Sequence, residues 1–305
     1  MRLGRLFNSG VRRLGLGAVC LIALGVATAS WWFTAPLESR AVEGERPRST
    51  ATWDAPSALS EQELPSWPEK RLEGRWAKEL LLRTLRAVDR AFRKVPCCTM
   101  TFRKQERIGG KLLPEQTYFL KVRHDPFAIY MKCLEPAAGR ELIYAEGHFD
   151  NQVIGHPPGV ARLLVPRLKV PPDHPLIMAE SRHPMNEAGL ANMIRKMIQF
   201  REMDLADPDS TTILDRTTDP DGRPWLRSRH LHPVFRRERP LAETEVLYDP
   251  ATRYPLRFAG YDRPAAGTKE GALGERYSYD NLVLDAKLSP QDFDPANPGY
   301  AFHRF

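Results

Sequence analysis

The sequence predicts a mainly β (α+β) fold, in which roughly eight to ten antiparallel strands form one sheet with helices on one face. Proline supplies 27 of the 305 residues. Prolines at this frequency interrupt the chain between short strands, and they disfavour a helical bundle. Short segments of alternating apolar residues recur between turn residues, and only two segments have helical spacing. A sheet this wide curls, so we expect it to have a concave face.

A hydrophobic segment lies near the amino end. Four arginines precede an uncharged run over 14–35: Arg2, Arg5, Arg12 and Arg13. The run has 22 residues, and at about 1.5 Å per residue it is long enough to cross a bilayer. The arginines keep the amino end in the cytoplasm, so the sequence predicts a single-pass inner-membrane protein with its domain in the periplasm. Alternatively, Ala27-Thr28-Ala29 is a cleavage site, and the domain is released to the periplasm after about Ala29.

The sequence therefore divides into an anchor or signal peptide (1–35), a disordered linker (36–70) rich in Pro, Glu, Ser and Arg, and one β domain (71–305). Four of the seven net positive charges precede residue 14, and the remainder is too small to indicate a nucleic-acid partner. The basic run over 236–239 is most simply a solvated loop, and a lipid-headgroup contact is the alternative.

The elements follow in order. An amphipathic helix with its apolar face at Trp76, Leu80, Leu81, Leu85, Val88 and Phe92 ends before Pro96. Strands over 98–107 and 116–123 then form a hairpin that turns at Gly109-Gly110. Further strands are predicted over 127–131, 141–144, 225–231, 244–248, 254–261 and 276–284. A second helix over 186–203 interrupts them.

The second helix has a methionine-rich apolar face and is our candidate for a movable helical lid. Met193 and Met197 lie on that face. Methionine is flexible, so it suits a surface that accommodates variable apolar guests, although it also fills gaps in ordinary cores. The expected mechanism is opening of a cavity by movement of this helix.

Apolar side chains of several strands could line the concave face with the helix. Phe127, Ile129 and Met131 alternate onto one face of a single strand. The candidate ligand-binding residues are Phe127, Ile129, Met131, Met193, Met197, Trp225, Phe258 and Tyr279. Together they could hold lipid chains without a polar code. The alternative is that they only pack the helices against the sheet.

Cysteine and histidine spacing does not predict a metal site. No C-x-x-C motif is present, and Cys97 and Cys98 would point to opposite faces of a strand. A disulfide from one of them to Cys133 and three buried thiols both remain open. His230 and His232 could face one way and share a metal ion, but no third ligand is evident from spacing.

The sequence also predicts no catalytic residue and no cofactor. It contains no G-x-S-x-G elbow, P-loop or dinucleotide fingerprint. Glu141, Glu146 and His148 could form an acid–base group, but alternation places the two glutamates on opposite faces of a solvated strand. A hydrolase that pairs His156 or His183 with a carboxylate is the least favoured alternative.

An ordered series of short motifs resembles the exported bacterial family of unknown function numbered 1571. The series covers about 90–302 and comprises Lys121 to Phe127, Tyr130, Gly139 to Tyr144, Glu146-Gly147, His183-Pro184, Glu187, Gly189, His232-Pro233-Val234, Tyr277-Ser278-Tyr279, Asp292 to Pro295 and Asn297-Pro298. Two loops depart from the family pattern, over 155–159 and 182–186. The family has no established activity.

A second set of motifs is similar to periplasmic lipoprotein carriers and the lipoprotein sensors of the same fold. It comprises Phe102 to Gln105, the Lys-x-Arg-x-x-Pro-Phe segment over 121–127, Pro136, Glu146-Gly147 and Pro255. The resemblance implies a curved half-barrel that helices close around an acyl-chain cavity. We therefore expect a non-catalytic envelope protein that binds a lipid or an acylated protein. A module that recognises another envelope protein, as an interaction or sensor domain, is the alternative.

Overall fold

The computed structural model describes residues 64–159 and 167–303. The hydrophobic run over 14–35 and the cleavage site beside it lie outside these residues. Within the described residues, no helix combines the length and the apolar character needed to span a bilayer.

The described chain forms one open, curved sheet of thirteen antiparallel strands, which confirms the predicted fold class. The strands are β1 (Leu72–Glu73), β2 (Cys97–Ile108), β3 (Lys111–Leu112), β4 (Gln116–His124), β5 (Phe127–Glu135), β6 (Glu141–Ala145), β7 (Val153–His156), β8 (Leu168–Val170), β9 (Thr211–Thr218), β10 (Pro224–Leu231), β11 (Glu243–Tyr248), β12 (Pro255–Tyr261) and β13 (Leu273–Leu284). The helices are α1 (Arg75–Phe92), α2 (Pro175–Met178) and α3 (Leu190–Ala206), with short 3₁₀ turns at Phe149–Asn151, Met185–Glu187, Pro290–Phe293 and Ala301–His303.

Strand order is β1-β9-β10-β11-β12-β13-β2-β4-β5-β6-β7-β8, and β3 pairs with β2. Strands that are consecutive in the sequence are adjacent in the sheet in most cases, because tight turns join the antiparallel strands. The exceptions that are most distant in sequence are the edge, where β1 pairs with β9, and the centre, where β13 returns to pair with β2. At its two ends the sheet has very short strands, β1 of two residues and β8 of three.

Helix α1 forms where apolar residues recur at three- and four-residue spacing. Leu81, Leu85 and Val88 are fully buried on its sheet side. The helix ends at Phe92, four residues before Pro96, in agreement with the sequence prediction. Trp76 is a correction, because its side chain in the first turn is 74% exposed and does not join the apolar face.

Both long helices cover one side of the sheet, which we call the inner face. Leu120 of β4 and Ile129 of β5 have no exposed surface there and pack in the main core with Phe92 of α1 and Ile194 of α3. Alternate residues of the same strands point to the outer face. Tyr130 is one of these, and Tyr300 of the carboxyl-terminal segment stacks on it at 4.1 Å between ring centroids.

The folded chain also begins earlier than the predicted start at residue 71. Trp67 is 4% exposed, and its ring lies 5.3 Å from the ring of Tyr248. Its indole Nε1 donates to the backbone oxygen of Asp215 at 2.9 Å. Leu64 packs against the main core as well. The last residues of the range assigned to the linker are therefore part of the domain.

Candidate ligand-binding site

Most of the predicted ligand-binding residues lie on the inner face. Ile129 and Met131 are 0% and 6% exposed, and Phe127 packs beside them in a half-buried position. Tyr279 is 3% exposed in the same core. Their neighbours in this core come from the sheet and from α1 and α3. Contact with a ligand stays a prediction for all of them.

Met193 and Met197 of α3 and Phe258 pack where the main core adjoins a second cluster of buried residues, which includes Leu81, Leu85 and Tyr248. Met197 is 5% exposed and packs with Leu81, Leu85 and Tyr248, and Met193 is half-buried against both clusters. The ring of Phe258 is stacked 5.8 Å from that of Tyr277. The predicted lid helix thus rests directly on the inner face.

Trp225 is 2% exposed and belongs to the main core cluster, but it does not project from β10 to the same side as Leu226. Its neighbour Leu226 packs with the α1 side chains, so alternation along β10 directs Trp225 to the outer face. There the guanidinium groups of Arg223 and Arg257 lie 4.2 and 5.4 Å from its ring centroid. It lines an open groove of about 350 Å³ together with Phe258 and with charged side chains such as Arg103 and Glu245. Trp225 therefore shares this groove with Phe258 and the main core cluster with Ile129, Met131 and Tyr279.

The inner face changes from polar to apolar along the strands. A continuous row of paired residues crosses six strands at one end of the sheet: Thr212, His230, Thr244, Gly260, Glu275 and Glu106. We call this the polar row. Two positions further along β2, on the same face, lies Lys104, and Phe102, Met100 and Cys98 follow at the next alternate positions. The interior thus has charged groups at one end and an apolar body beyond them.

Asp204 of α3 organises one half of this end. Its Oδ1 accepts hydrogen bonds from the guanidinium of Arg239 and from His232 Nε2 at 2.9 Å, while Arg201 Nε lies 3.0 Å from Oδ2. Burial opposes the charge on Asp204, but Arg201 and the His232 hydrogen bond hold its pKa well below the ordinary value. Arg239 is 6% exposed, so the expectation of a solvated loop over 236–239 is wrong for this residue.

His230 and His232 do face one way, but the group that they share is a carboxylate. His230 Nδ1 is 3.7 Å from Asp204 Oδ2, compared with 2.9 Å for the His232 contact. Within residues 64–159 and 167–303, no group of three or more His, Cys, Asp or Glu side chains is arranged to hold a metal ion. Cys97, Cys98 and Cys133 are free buried thiols.

Ser228 and His230 form a hydrogen-bonded relay beneath α3. His230 Nε2 is 2.9 Å from Ser228 Oγ, which lies 2.9 Å from the hydroxyl of Tyr248. The other ring nitrogen contacts Thr212 Oγ1 at 3.1 Å. The order serine, histidine, aspartate resembles that of a hydrolase triad. However, Ser228 and His230 are completely buried, and each polar atom already has a partner, so the relay serves to satisfy buried polar groups.

The burial of His230 predicts acid sensitivity of the fold. Burial, and then the charge of Arg201, lower the pKa of His230 well below its ordinary value. At a pH between the pKa of His230 in the folded chain and its pKa in the unfolded chain, the histidine binds a proton in the unfolded chain only. The stability contribution is therefore complete above about pH 6.5 and is lost as the pH falls, by up to about 1.4 kcal/mol per pH unit. We expect urea midpoints measured at pH 7.5, 6.5 and 5.5 to decrease accordingly.

The matched variant is His230→Asn, in which the slope of stability against pH should become shallower. His124 is a half-buried histidine whose pKa is also lowered by desolvation, and it is retained in the variant, so part of the slope remains. The charged and titratable groups that face His230 are Arg201, Asp204, His232 and Lys78. An unchanged slope in the variant would show that His230 is protonated equally in both states.

Glu106 and Glu275 organise the other half of the polar end. The hydroxyl of Tyr277 lies within hydrogen-bond distance of both carboxylates, at 2.5 and 3.1 Å. Lys104 Nζ donates to Glu106 at 3.2 Å, and Arg182 Nε is 3.1 Å from Glu275. Burial favours the neutral form of Glu275, but the hydrogen bond and charge of His183 and the charge of Arg182 lower its pKa.

Both histidines of the hydrolase alternative have a carboxylate partner. His156 Nε2 is 3.0 Å from Glu141, and His183 Nε2 is 3.2 Å from Glu275. Glu141 is 2% exposed, so the expectation that it lies on a solvated strand is wrong. The His156 pair lies on the outer face beneath the carboxyl-terminal segment, where Ala301 N also donates to Glu141. Phe302 covers the ring of His156, which closes the pair to solvent.

The sequence reasoning missed the charged half of the site. Lys104 and Glu106 lie on the same face of β2 as Phe102, and this alternation places two charges in line with inward apolar residues. That pattern was visible in the sequence. The pairing of Glu106 with Glu275 was not, because it depends on the return of β13 to the centre of the sheet.

Comparisons with known proteins identify one family and several similar structures. Residues 95–302 match the model of a family described as "Protein of unknown function (DUF1571)". No curated protein matches the sequence. Among solved structures, the chain is similar to the Mycobacterium tuberculosis lipoprotein LppX at 11% identity and a TM-score of 0.41, covering 71% of this chain and 99% of that one.

Two further structures are similar to this chain. A DUF1329 family protein from Desulfovibrio piger matches at 13% identity and a TM-score of 0.35, covering 72% of this chain and 96% of that one. A putative outer membrane lipoprotein-sorting protein domain from Vibrio parahaemolyticus matches at 11% identity and a TM-score of 0.30, with coverage of 65% and 89%.

Proposed function

The chain belongs to the DUF1571 family, and we propose that it is a cell-envelope protein that binds a lipid or the acyl chain of a lipoprotein, without catalysis. The observation that carries the proposal is the division of the inner face into a polar row and an apolar body. An amphiphile has the same division, and its binding places the headgroup at the charged end and the chain along the apolar strands.

Helix α3 covers the inner face with side chains that suit a binding site opened by movement of the helix. Helix α3 contacts the sheet through Met193, Ile194, Met197 and Ile198, which are flexible or aliphatic side chains that can repack against a guest. Its N-terminal neighbour Gly189 has φ +97, a conformation that favours glycine. Movement of α3 about this residue exposes the apolar body without breaking a strand.

The proposed function requires export of the domain to the periplasm. The segment over 14–35, with its preceding arginines, delivers the domain across the inner membrane and retains it there, or is cleaved near Ala29. In either case the domain acts in the periplasm, where acyl chains must be shielded from water during transfer between membranes. No nucleic acid or cofactor takes part.

The test is photo-crosslinking in living bacteria with the full chain. Benzoylphenylalanine replaces Phe127 or Phe258 on the inner face, or Phe235, which is 61% exposed and serves as the matched control. After irradiation, mass spectrometry of the purified protein identifies the adducts. We expect lipid or acyl-peptide adducts at the two inner positions and none at Phe235.

Two results would contradict the proposal. Equal lipid adducts at all three positions would indicate contact with the bulk membrane. Protein adducts without lipid adducts would support the envelope-interaction module instead.

A further inference from the structure

The strongest unexplained feature is a cationic recess on the inner face, at the polar end of β2 and β4. Lys104, Gln116, Tyr118 and Arg140 line it, and each is at most 8% exposed. Arg140 Nη2 donates to the hydroxyl of Tyr118 at 3.0 Å, and that hydroxyl donates to Gln116 Oε1 at 3.2 Å. The recess therefore holds two buried cations, of which Arg140 is oriented by the neutral Tyr118 and Lys104 pairs with the carboxylate of Glu106.

A carboxylate from outside the sheet fills the recess. Glu180 belongs to the segment over 171–189 that joins β8 to α3, which we call the strap. Its Oε2 accepts from Arg140 Nη1 at 3.0 Å and from Gln116 Nε2 at 3.0 Å. Lys104 Nζ donates to the backbone oxygen of the same residue at 2.7 Å. One strap residue thus satisfies three donors of the recess.

The charges show why the recess needs an anion. Lys104 pairs with Glu106 of the sheet, and Arg140 pairs with Glu180 of the strap. Glu180 is therefore the carboxylate that compensates the charge of Arg140. Burial lowers the pKa of Lys104 despite the nearby carboxylates, which indicates that its charge is poorly solvated. Removal of Glu180 without a substitute would break the buried ion pair with Arg140, which is costly in the interior of a protein.

The recess continues directly into the apolar body. After Gln116, the inward residues of β4 are Tyr118, Leu120 and Val122. All three belong to the main core. Ile177 and Met185 of the strap pack against the same core on the other side. A headgroup in the recess therefore has an apolar path for its chain, and the strap lies across the start of that path.

We propose that the recess is the binding site for the anionic headgroup, a carboxylate or a phosphate, of the amphiphile, and that Glu180 occupies it as an internal substitute until the ligand displaces it. This inference rests on the proposed function and names its ligand class. It also identifies the strap, in addition to α3, as the element that must move.

The test compares two photoactivatable probes with the full chain in phosphatidylcholine nanodiscs: diazirine-labelled palmitic acid and its methyl ester. The probes have the same chain and differ in the headgroup charge. In Glu180→Gln, we expect the acid to reach half-maximal crosslinking to inner-face peptides at a concentration about 10- to 100-fold lower than in the parent. That range corresponds to the usual strength of charged hydrogen bonds. The ester should change little.

Two variants control this result. Glu187→Gln removes another strap carboxylate, which is 45% exposed and pairs with Lys196 away from the recess, and it should leave both probes unchanged. The double variant Glu180→Gln with Arg140→Met removes the substitute and one cation together, and it should lose the preference for the acid.

A measurement on the parent chain does not depend on the folding of any variant. Saturating acid should increase amide hydrogen exchange in the strap, because Glu180 leaves the recess, whereas the ester should not. Unchanged exchange with bound acid would overturn the inference.

The remaining outcomes separate the two proposals. Equal improvement for acid and ester in Glu180→Gln would overturn the headgroup site and leave acyl binding intact. Competition by inorganic phosphate as effective as that by the unlabelled acid would assign the recess to a free anion and would also overturn the headgroup site. Absence of inner-face crosslinks in every variant would overturn the proposed function itself.

Discussion

Replacement of Asp204 by alanine is expected to lower the free energy of unfolding by about 3–5 kcal/mol. The carboxylate is 1% exposed and lies against Arg201, His232 and Arg239. Its loss leaves the guanidinium groups of two buried arginines without their shared counter-charge, and the cost of an unpaired buried charge far exceeds the cost of a lost surface pair. Urea unfolding followed by tryptophan fluorescence measures the change.

Asp209→Ala is the matched control for Asp204→Ala. Its side chain is 50% exposed, and its contact with Arg236 Nη2 is 3.4 Å. Removal of this exposed partner should change the free energy of unfolding by less than about 1 kcal/mol. Similar losses in the two variants would show that Asp204 is no more important to the fold than a surface carboxylate.

Replacement of Met197 by aspartate is expected to cost at least about 4 kcal/mol and to detach α3 from the sheet. The thioether packs with Leu85, Val246 and Tyr248, so the variant loses this packing and places an unpaired carboxylate among apolar side chains. Thermal unfolding and near-ultraviolet circular dichroism report the loss.

Met203→Asp introduces the same charge on the same helix at a side chain that is 41% exposed. Since solvent solvates the carboxylate there, the free energy of unfolding should change by less than about 0.5 kcal/mol. A Met197→Asp protein with native stability would show that α3 is loosely held, which would place the lid in an open state without ligand.

The elements that were predicted well are those with a strong period. The spacing of Leu81, Leu85 and Val88 predicts α1, and the alternation of Ile129 and Met131 predicts the inward face of β5. Their burial follows from the same periods, because one face of each element must meet the core. The predicted inner face is therefore mostly correct.

The failures have identifiable physical reasons. Strand β9 was missed because its charged outer residues, such as Asp215, interrupt the apolar pattern near a turn. Trp225 packs in the main core cluster, as its size suggests, but the sequence pattern did not reveal that Arg223 and Arg257 also lie against its ring. Glu141 is buried because the distant carboxyl-terminal segment folds over it. Contacts of this kind depend on the tertiary fold and leave no local signal.

The short strands that end the sheet influence how neighbouring molecules meet. An edge with a long row of free backbone groups is a template for pairing with another chain. Here β1 pairs with two residues of β9, and Trp67 Nε1 donates to the backbone oxygen of Asp215 beside it. The opposite edge, β8, offers three residues. Neighbouring copies therefore have little opportunity for intermolecular strand exchange, which limits aggregation of a wide open sheet.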